Sequence, residues 1–233
     1  MGIRYVLFRA LYELKRKTGL IKNSFPTEIP NRTVIELNSW KNSNVQFFFR
    51  SREDIEKIKL TAKTIEELEE YFNIIKSGGL KLFSGNVVND AFSNWFTNPE
   101  NNFVFDKKQH WTKIDEFAKG HGDIKYIWEK GRFCYLYTII RYDHQFGADN
   151  SELVFNLIVS WIDNNQLNCG PYFKCSQEIA LRICNWIFAL YYYKNSNVLT
   201  QAVFQKIIDS IYAQSLHIES NLKFAAIAVR NNH

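Results

Sequence analysis

The sequence predicts a mainly helical fold with a small N-terminal extension that carries short strands. Two observations lead there. After Gly122, four apolar blocks with helical spacing follow one another, at about residues 123–146, 149–165, 176–194 and 200–230. Before Gly122 the pattern is shorter and mixed, with two runs of strand-like residues and a long aromatic stretch. With 46% hydrophobic residues the chain can bury a sizeable core, which argues against wholesale disorder.

From the N-terminus, residues 4–17 place Tyr5, Phe8, Leu11, Tyr12 and Leu14 at helical spacing, and Thr18-Gly19 ends that helix. Pro26 and Pro30 mark an extended connector. Residues 33–40, "TVIELNSW", and 45–50, "VQFFFR", read as two short strands. Residues 52–77 return to helical pattern in one or two pieces, with Thr64 and Glu67 spaced as a capping box and "SGG" as the stop. "LKLFSG" reads as one more strand, and the Asn-, Phe- and Trp-rich run to about residue 122 reads as an irregular segment over a domain or along a site. In the helical half, "GADNS" and "KNSNVL" are connectors, Ser176 is a candidate N-cap, and the last block reads as two helices. The expected division is residues 1–109 as an N-terminal part packed on a helical core at 110–233.

The net charge of +5 favours an acidic partner, but no dense basic surface points to nucleic acid. No run is long and apolar enough to predict a transmembrane helix. The N-terminus lacks a secretory signal, which predicts a cytoplasmic chain as written, or a periplasmic or secreted one if a leader was removed. The four cysteines show no metal-site spacing. Cys134 and Cys184 read as small buried side chains. Cys169 and Cys175 flank a loop that allows a disulfide, with free thiols the expected state.

Two stripes stand out. Lys125, Trp128, Glu129 and Arg132 share one helix face, and Glu178, Arg182 and Trp186 share another at four-residue spacing, backed by Ile179, Ile183 and Leu190. Each stripe fits either a ligand-facing surface or an ordinary surface ion pair, here Glu178 with Arg182. His110 and His121 read as loop histidines able to line a cleft, His144 as suited to a helix C-terminus, and His217 as a helix-surface residue.

The blocks "DIKYIWEKGRF", "WIDNNQLNCGPYF", "SQEIALRICNW" and the closing "NNH" occur in the order found in bacterial heparinase II/III-type polysaccharide lyases, a superfamily that includes alginate lyases. The chain resembles the N-terminal helical domain of that superfamily over most of residues 110–233 and more weakly before them. It departs at Tyr172 and Gln177, where the family often carries Trp and Met. The resemblance implies an incomplete (α/α) toroid with a long cleft, which a C-terminal β-sandwich covers on one side in full-length relatives. It also implies cleavage of uronate-containing polysaccharides by β-elimination, without cofactor or metal.

That chemistry needs a donor to neutralise the uronate carboxylate so that the C5 proton becomes acidic, and a base to take the proton. Carried over, Asn232 is the neutraliser and His233 the base or proton shuttle, while Asn231 shapes the turn and contributes to binding. Trp95, Trp111, Trp128 and Tyr172 are candidate sugar platforms, Arg132 and Arg182 candidate carboxylate partners, and Glu178 belongs to the same binding set. The family's catalytic Tyr and its β-sandwich would lie beyond His233, so the 233-residue chain is expected to lack eliminase activity. The implied partners are an acidic polysaccharide and that β-sandwich domain. Two other classes stay open: a non-catalytic toroid that binds glycan or protein, and a helical repeat scaffold.

Overall fold

The computed structural model describes residues 2–45, 47–48, 62–83, 85–115 and 118–228, and over these the chain is mainly helical. Helix α1, Ile3–Lys17, matches its expected span. The Thr18 hydroxyl caps it by donating to the Leu14 carbonyl at 2.8 Å, and Gly19 then takes a left-handed φ of 80°, which glycine adopts without steric cost.

The strand expected over 33–40 does not form. Residues 33–36 run without regular structure into a short helix α2, Leu37–Lys41. Side chains supply the hydrogen bonds that a neighbouring strand would otherwise give. Gln205 accepts from the Ile35 N–H at 3.1 Å, Gln201 accepts from the Leu37 N–H at 2.7 Å, and Gln201 donates back to the Ile35 carbonyl at 3.0 Å. The backbone is satisfied locally and has no need of a sheet. Of the second expected strand, Val45, Phe47 and Phe48 are not in strand conformation, and residues 46, 49 and 50 lie outside the described residues. Phe47 instead stacks on Tyr191, ring centroids 4.0 Å apart.

Helix α3 spans Ala62–Lys76; residues 52–61 of the expected block lie outside the described residues. Thr64 sits inside this helix, so it is not the N-cap of a second piece. Gly78, at φ 88°, ends the helix as "SGG" predicts. Strand β1, Leu80–Leu82, then pairs antiparallel with β2, Asn86–Val88, with Leu80 opposite Val88. At three residues, β2 is too short to announce itself by alternation.

Beyond β2 and a single turn at Trp111–Lys113, the described part of the aromatic segment up to residue 122 is irregular as expected, and its asparagines and a lysine explain how. Asn98 donates to the carbonyls of His121 and Asp123, at 2.6 and 3.2 Å. Lys130 is buried and donates to the carbonyls of Asn94 and Thr97, both at 2.9 Å; burial pushes its amine down to about 8. Polar side chains thus satisfy a buried loop backbone that has no ladder of its own.

The block expected at 123–146 is two helices, α4 (Lys125–Arg132) and α5 (Leu136–Phe146). Between them Phe133 takes φ 61°, an uncommon conformation for a non-glycine residue. The turn delivers its fully buried ring among Trp95, Trp161 and Trp186, at centroid distances of 5.7, 6.4 and 5.4 Å. Helices α6 (Ser151–Asn164) and α7 (Ser176–Tyr192) follow. Helix α8, Gln201–Ala228, is one continuous helix rather than two. Helix α7 packs on α4, α5 and α8, while α3 packs on α5 and α6 on α8. One buried cluster runs through both halves of the chain, from Ile21 to Ala213, and includes Ile179, Ile183 and Leu190 as the pattern predicts.

Ser176 is the first residue of α7 and Cys175 holds the cap position, one residue earlier than expected. No disulfide forms among the four cysteines. Cys134 and Cys184 are exposed, not buried, because the α4–α5 turn and the outer face of α7 direct them outward. No described helix is long and apolar enough to cross a membrane.

Candidate functional site

Five of the residues expected to bind substrate, Trp128, Arg132, Tyr172, Glu178 and Arg182, are engaged with each other or with the core. The Arg132 guanidinium meets Glu178 through both Nε and Nη2, the latter at 2.8 Å, and meets Glu129 through Nη1. Glu178 is almost fully buried, and its two hydrogen bonds hold the Arg132 charge well above the ordinary arginine range. The stripe on α4 is therefore a clasp between α4 and α7. Three of the five N–H groups of Arg132 are engaged in this way, two by Glu178 and one by Glu129. Trp128, half-buried, donates from Nε1 to the Pro171 carbonyl at 3.1 Å and belongs to the same junction. Lys125 is turned away, 3.8 Å from Asp123 at the exposed start of the helix.

Arg182 does not pair with Glu178, four residues before it. It is fully buried, donating to Gln214 Oε1 at 2.7 Å and to the carbonyls of Gly131 and Tyr172, both at 3.2 Å. Its guanidinium lies 4.2 Å from the Trp161 ring centroid. Burial pushes its charge down to about 9, with Tyr172 and Glu178 opposing the shift, so Arg182 stays cationic at neutral pH as a cation held by neutral acceptors and aromatic faces. Gly131 makes this packing possible: a Cβ there would stand 2.3 Å from Tyr172 Cδ1. Tyr172 is itself buried, its hydroxyl bonded to the Trp95 carbonyl at 2.5 Å. Neither Tyr172 nor Trp95 is a sugar platform; both are core, as their large apolar rings dictate.

His217, expected on a helix surface, and the loop histidine His110 are both buried. His217 Nδ1 lies 2.6 Å from Asn168 Oδ1, and Nε2 has no hydrogen-bond partner among the described residues. Burial, with the nearby Arg182 charge, depresses the imidazole to about 3. Asn168 also donates to the Pro26 carbonyl at 2.6 Å, and its own carbonyl accepts from the Trp111 N–H at 3.0 Å. His110 contacts Thr112 Oγ1 at 2.8 Å and the Phe25 carbonyl at 3.1 Å. His121 rests on Phe103 and Phe105. No motif in the sequence marks the His217–Asn168 link; in the structure Asn168 takes a left-handed φ of 59°.

The concavity with the most suitable chemistry lies between α1, α8 and the segment around Trp111. It encloses about 440 Å³. Tyr12, Trp111 and Phe224 form its aromatic walls, with Tyr12 and Phe224 4.2 Å apart at their centroids. Arg9, Arg16 and Lys174 supply three cations, against Glu13 and Asp115. Arg9 sits over the Phe224 ring at 5.4 Å; Arg16 is fixed by Glu13 at 2.8 Å and by the Thr112 carbonyl. Burial and then the Glu13 charge push Tyr12 up to about 12, so its hydroxyl is a hydrogen-bond donor at neutral pH. Asn221 lines the cleft one turn beyond buried His217 on α8. Among the described residues, Trp111 is the one predicted binding residue that reaches this cleft. Asn231, Asn232 and His233 lie outside the described residues.

No family model, curated protein or solved structure matches the chain.

Proposed function

We propose that the chain is the helical domain of a polysaccharide lyase of the heparinase II/III type, built as an incomplete (α/α) toroid, and that it holds a uronate-containing acidic polysaccharide. The observation that carries this reading is the cleft between α1 and α8, which combines aromatic walls with a surplus of cations. Aromatic faces suit the apolar faces of sugar rings, and guanidinium groups suit planar carboxylates. The packing of α7 and α6 on α8 supports the toroid reading. In this reading Asn232 neutralises the bound carboxylate and His233 moves the C5 proton, while Asn221 and Phe224 of α8 line the cleft. The downstream β-sandwich domain of the family would be the protein partner.

The test is calorimetric titration with alginate, heparin and neutral glucan oligosaccharides. Binding of the acidic oligomers is expected, weakened at least tenfold by Arg9→Ser and by Asn232→Ala and by added salt. Equal affinity for neutral glucan, or acidic binding untouched by both substitutions, refutes the proposal. The same cleft also supports a second reading, glycan binding without turnover. There, Arg9→Ser weakens binding while Asn232→Ala leaves it unchanged.

A further inference from the structure

Helix α1 is mounted with its leucines outward. Its inner face is Phe8 and Tyr12, which meet Phe224 of α8 at 6.3 and 4.2 Å, and no residue of the helix is fully buried. Ile3, Leu7, Leu11 and Leu14, spaced at i, i+4, i+8 and i+11, form one stripe on the opposite side, each between 56% and 76% exposed. The stripe is about 17 Å long at the rise of an α-helix. Arg4 and Lys15 border it on one side and Lys17 on the other, all exposed. The only acid on α1, Glu13, is occupied by Arg16. At its N-terminal end the stripe opens into an apolar hollow of about 670 Å³ between Ile3, Tyr5, Phe8 and Ile227.

We infer that α1 docks the protein onto an anionic lipid surface, lying in the plane of the headgroups with the Ile3–Leu14 stripe inserted. Charge complementarity selects this occupant. A second copy of α1 would bring Arg4, Lys15 and Lys17 against their own kind with no acid to meet them. An anionic bilayer offers apolar depth for the leucines and negative headgroups for their cationic border at once. The inference is independent of the polysaccharide reading, since it uses the opposite face of α1.

The experiment is co-sedimentation of the full chain with phosphatidylcholine vesicles, with and without phosphatidylserine, at low and at physiological salt. Two variants accompany it, Leu7→Ser/Leu11→Ser and Arg4→Glu/Lys15→Glu, each checked for unchanged circular dichroism and melting temperature; all four positions are exposed. Binding is expected only with phosphatidylserine, reduced at least tenfold by either variant. No sedimentation with anionic vesicles at low salt overturns the inference. So does binding that survives loss of the leucines, which would be adsorption by charge alone. Gel filtration showing a dimer that Leu7→Ser/Leu11→Ser dissociates would also overturn it, by assigning the stripe to a second copy.

Discussion

Gly131 offers the sharpest test of how the centre of the fold is built. In an exposed helix, replacing Gly by Ala stabilises by about 1 kcal/mol. Here the added Cβ would lie 2.3 Å from Tyr172 Cδ1 and 2.4 Å from Cε1, when ordinary contact begins near 3.4 Å. Tyr172 would have to retreat by about 1 Å, and it has nowhere to go. Its hydroxyl is tied to the Trp95 carbonyl, and its ring lies between Phe96 and Trp161, centroids at 6.0 and 5.5 Å. Overpacking costs about 1–3 kcal/mol. A lost buried hydrogen bond adds about 1 kcal/mol or more. Set against the helix gain, Gly131→Ala should destabilise by about 1–3 kcal/mol. Urea unfolding followed by tryptophan fluorescence reads this directly. In a Tyr172→Ala background, where the ring is gone, the same substitution should cost less than about 0.5 kcal/mol, a coupling of roughly 2 kcal/mol. A neutral Gly131→Ala, or an equal loss in both backgrounds, would refute the packing account.

Two further outcomes follow from the buried polar groups. His217 is held near 3, below the ordinary 6.5 of the unfolded chain, so its contribution is complete above about pH 6.5 and is lost as pH falls toward 3. At about pH 5 the loss is roughly 2 kcal/mol, and His217→Gln should flatten the stability slope between neutral pH and that point; an unchanged slope would show that His217 does not enter the protein neutral. Glu178→Gln leaves the half-buried Arg132 with Glu129 alone and should cost about 2–3 kcal/mol in urea unfolding, against the few tenths expected of a surface helix pair. A loss no greater than that of a surface pair would mean the clasp is not load-sharing between α4 and α7.

The helices are legible because amphipathic periodicity is a local property, and α1, α6 and α7 fall close to where the pattern puts them. What failed was whatever depended on distant partners. Residues 33–40 alternate like a strand, but whether an extended segment joins a sheet depends on which groups satisfy it, and Gln201 and Gln205 stand more than 160 residues away. Spacing put Glu178 and Arg182 on one face of α7 correctly. It could not show that Gly131 opens a slot that draws Arg182 into the core while Glu178 reaches across to Arg132. A large aromatic suits either a core or a sugar platform, and its chemistry alone leaves both open for the candidates Trp95 and Tyr172. Trp95 and Tyr172 are core, because an interior with so many rings buries most of them. The cleft between α1 and α8 escaped notice since its walls come from three separate stretches, none of which carries a motif.

The Asn168 side chain has a consequence for the time course of folding. It joins Pro26 to His217 through partners 142 and 49 residues away, while its backbone takes the Trp111 N–H. Each of these contacts joins stretches remote in sequence, so each carries a loop-closure cost and is expected late in assembly. Contacts absent from the transition state raise the barrier to unfolding without hastening folding. Asn168 is therefore expected to act as a latch, governing how slowly the N-terminal connector lets go once the helices have met rather than how quickly they find one another.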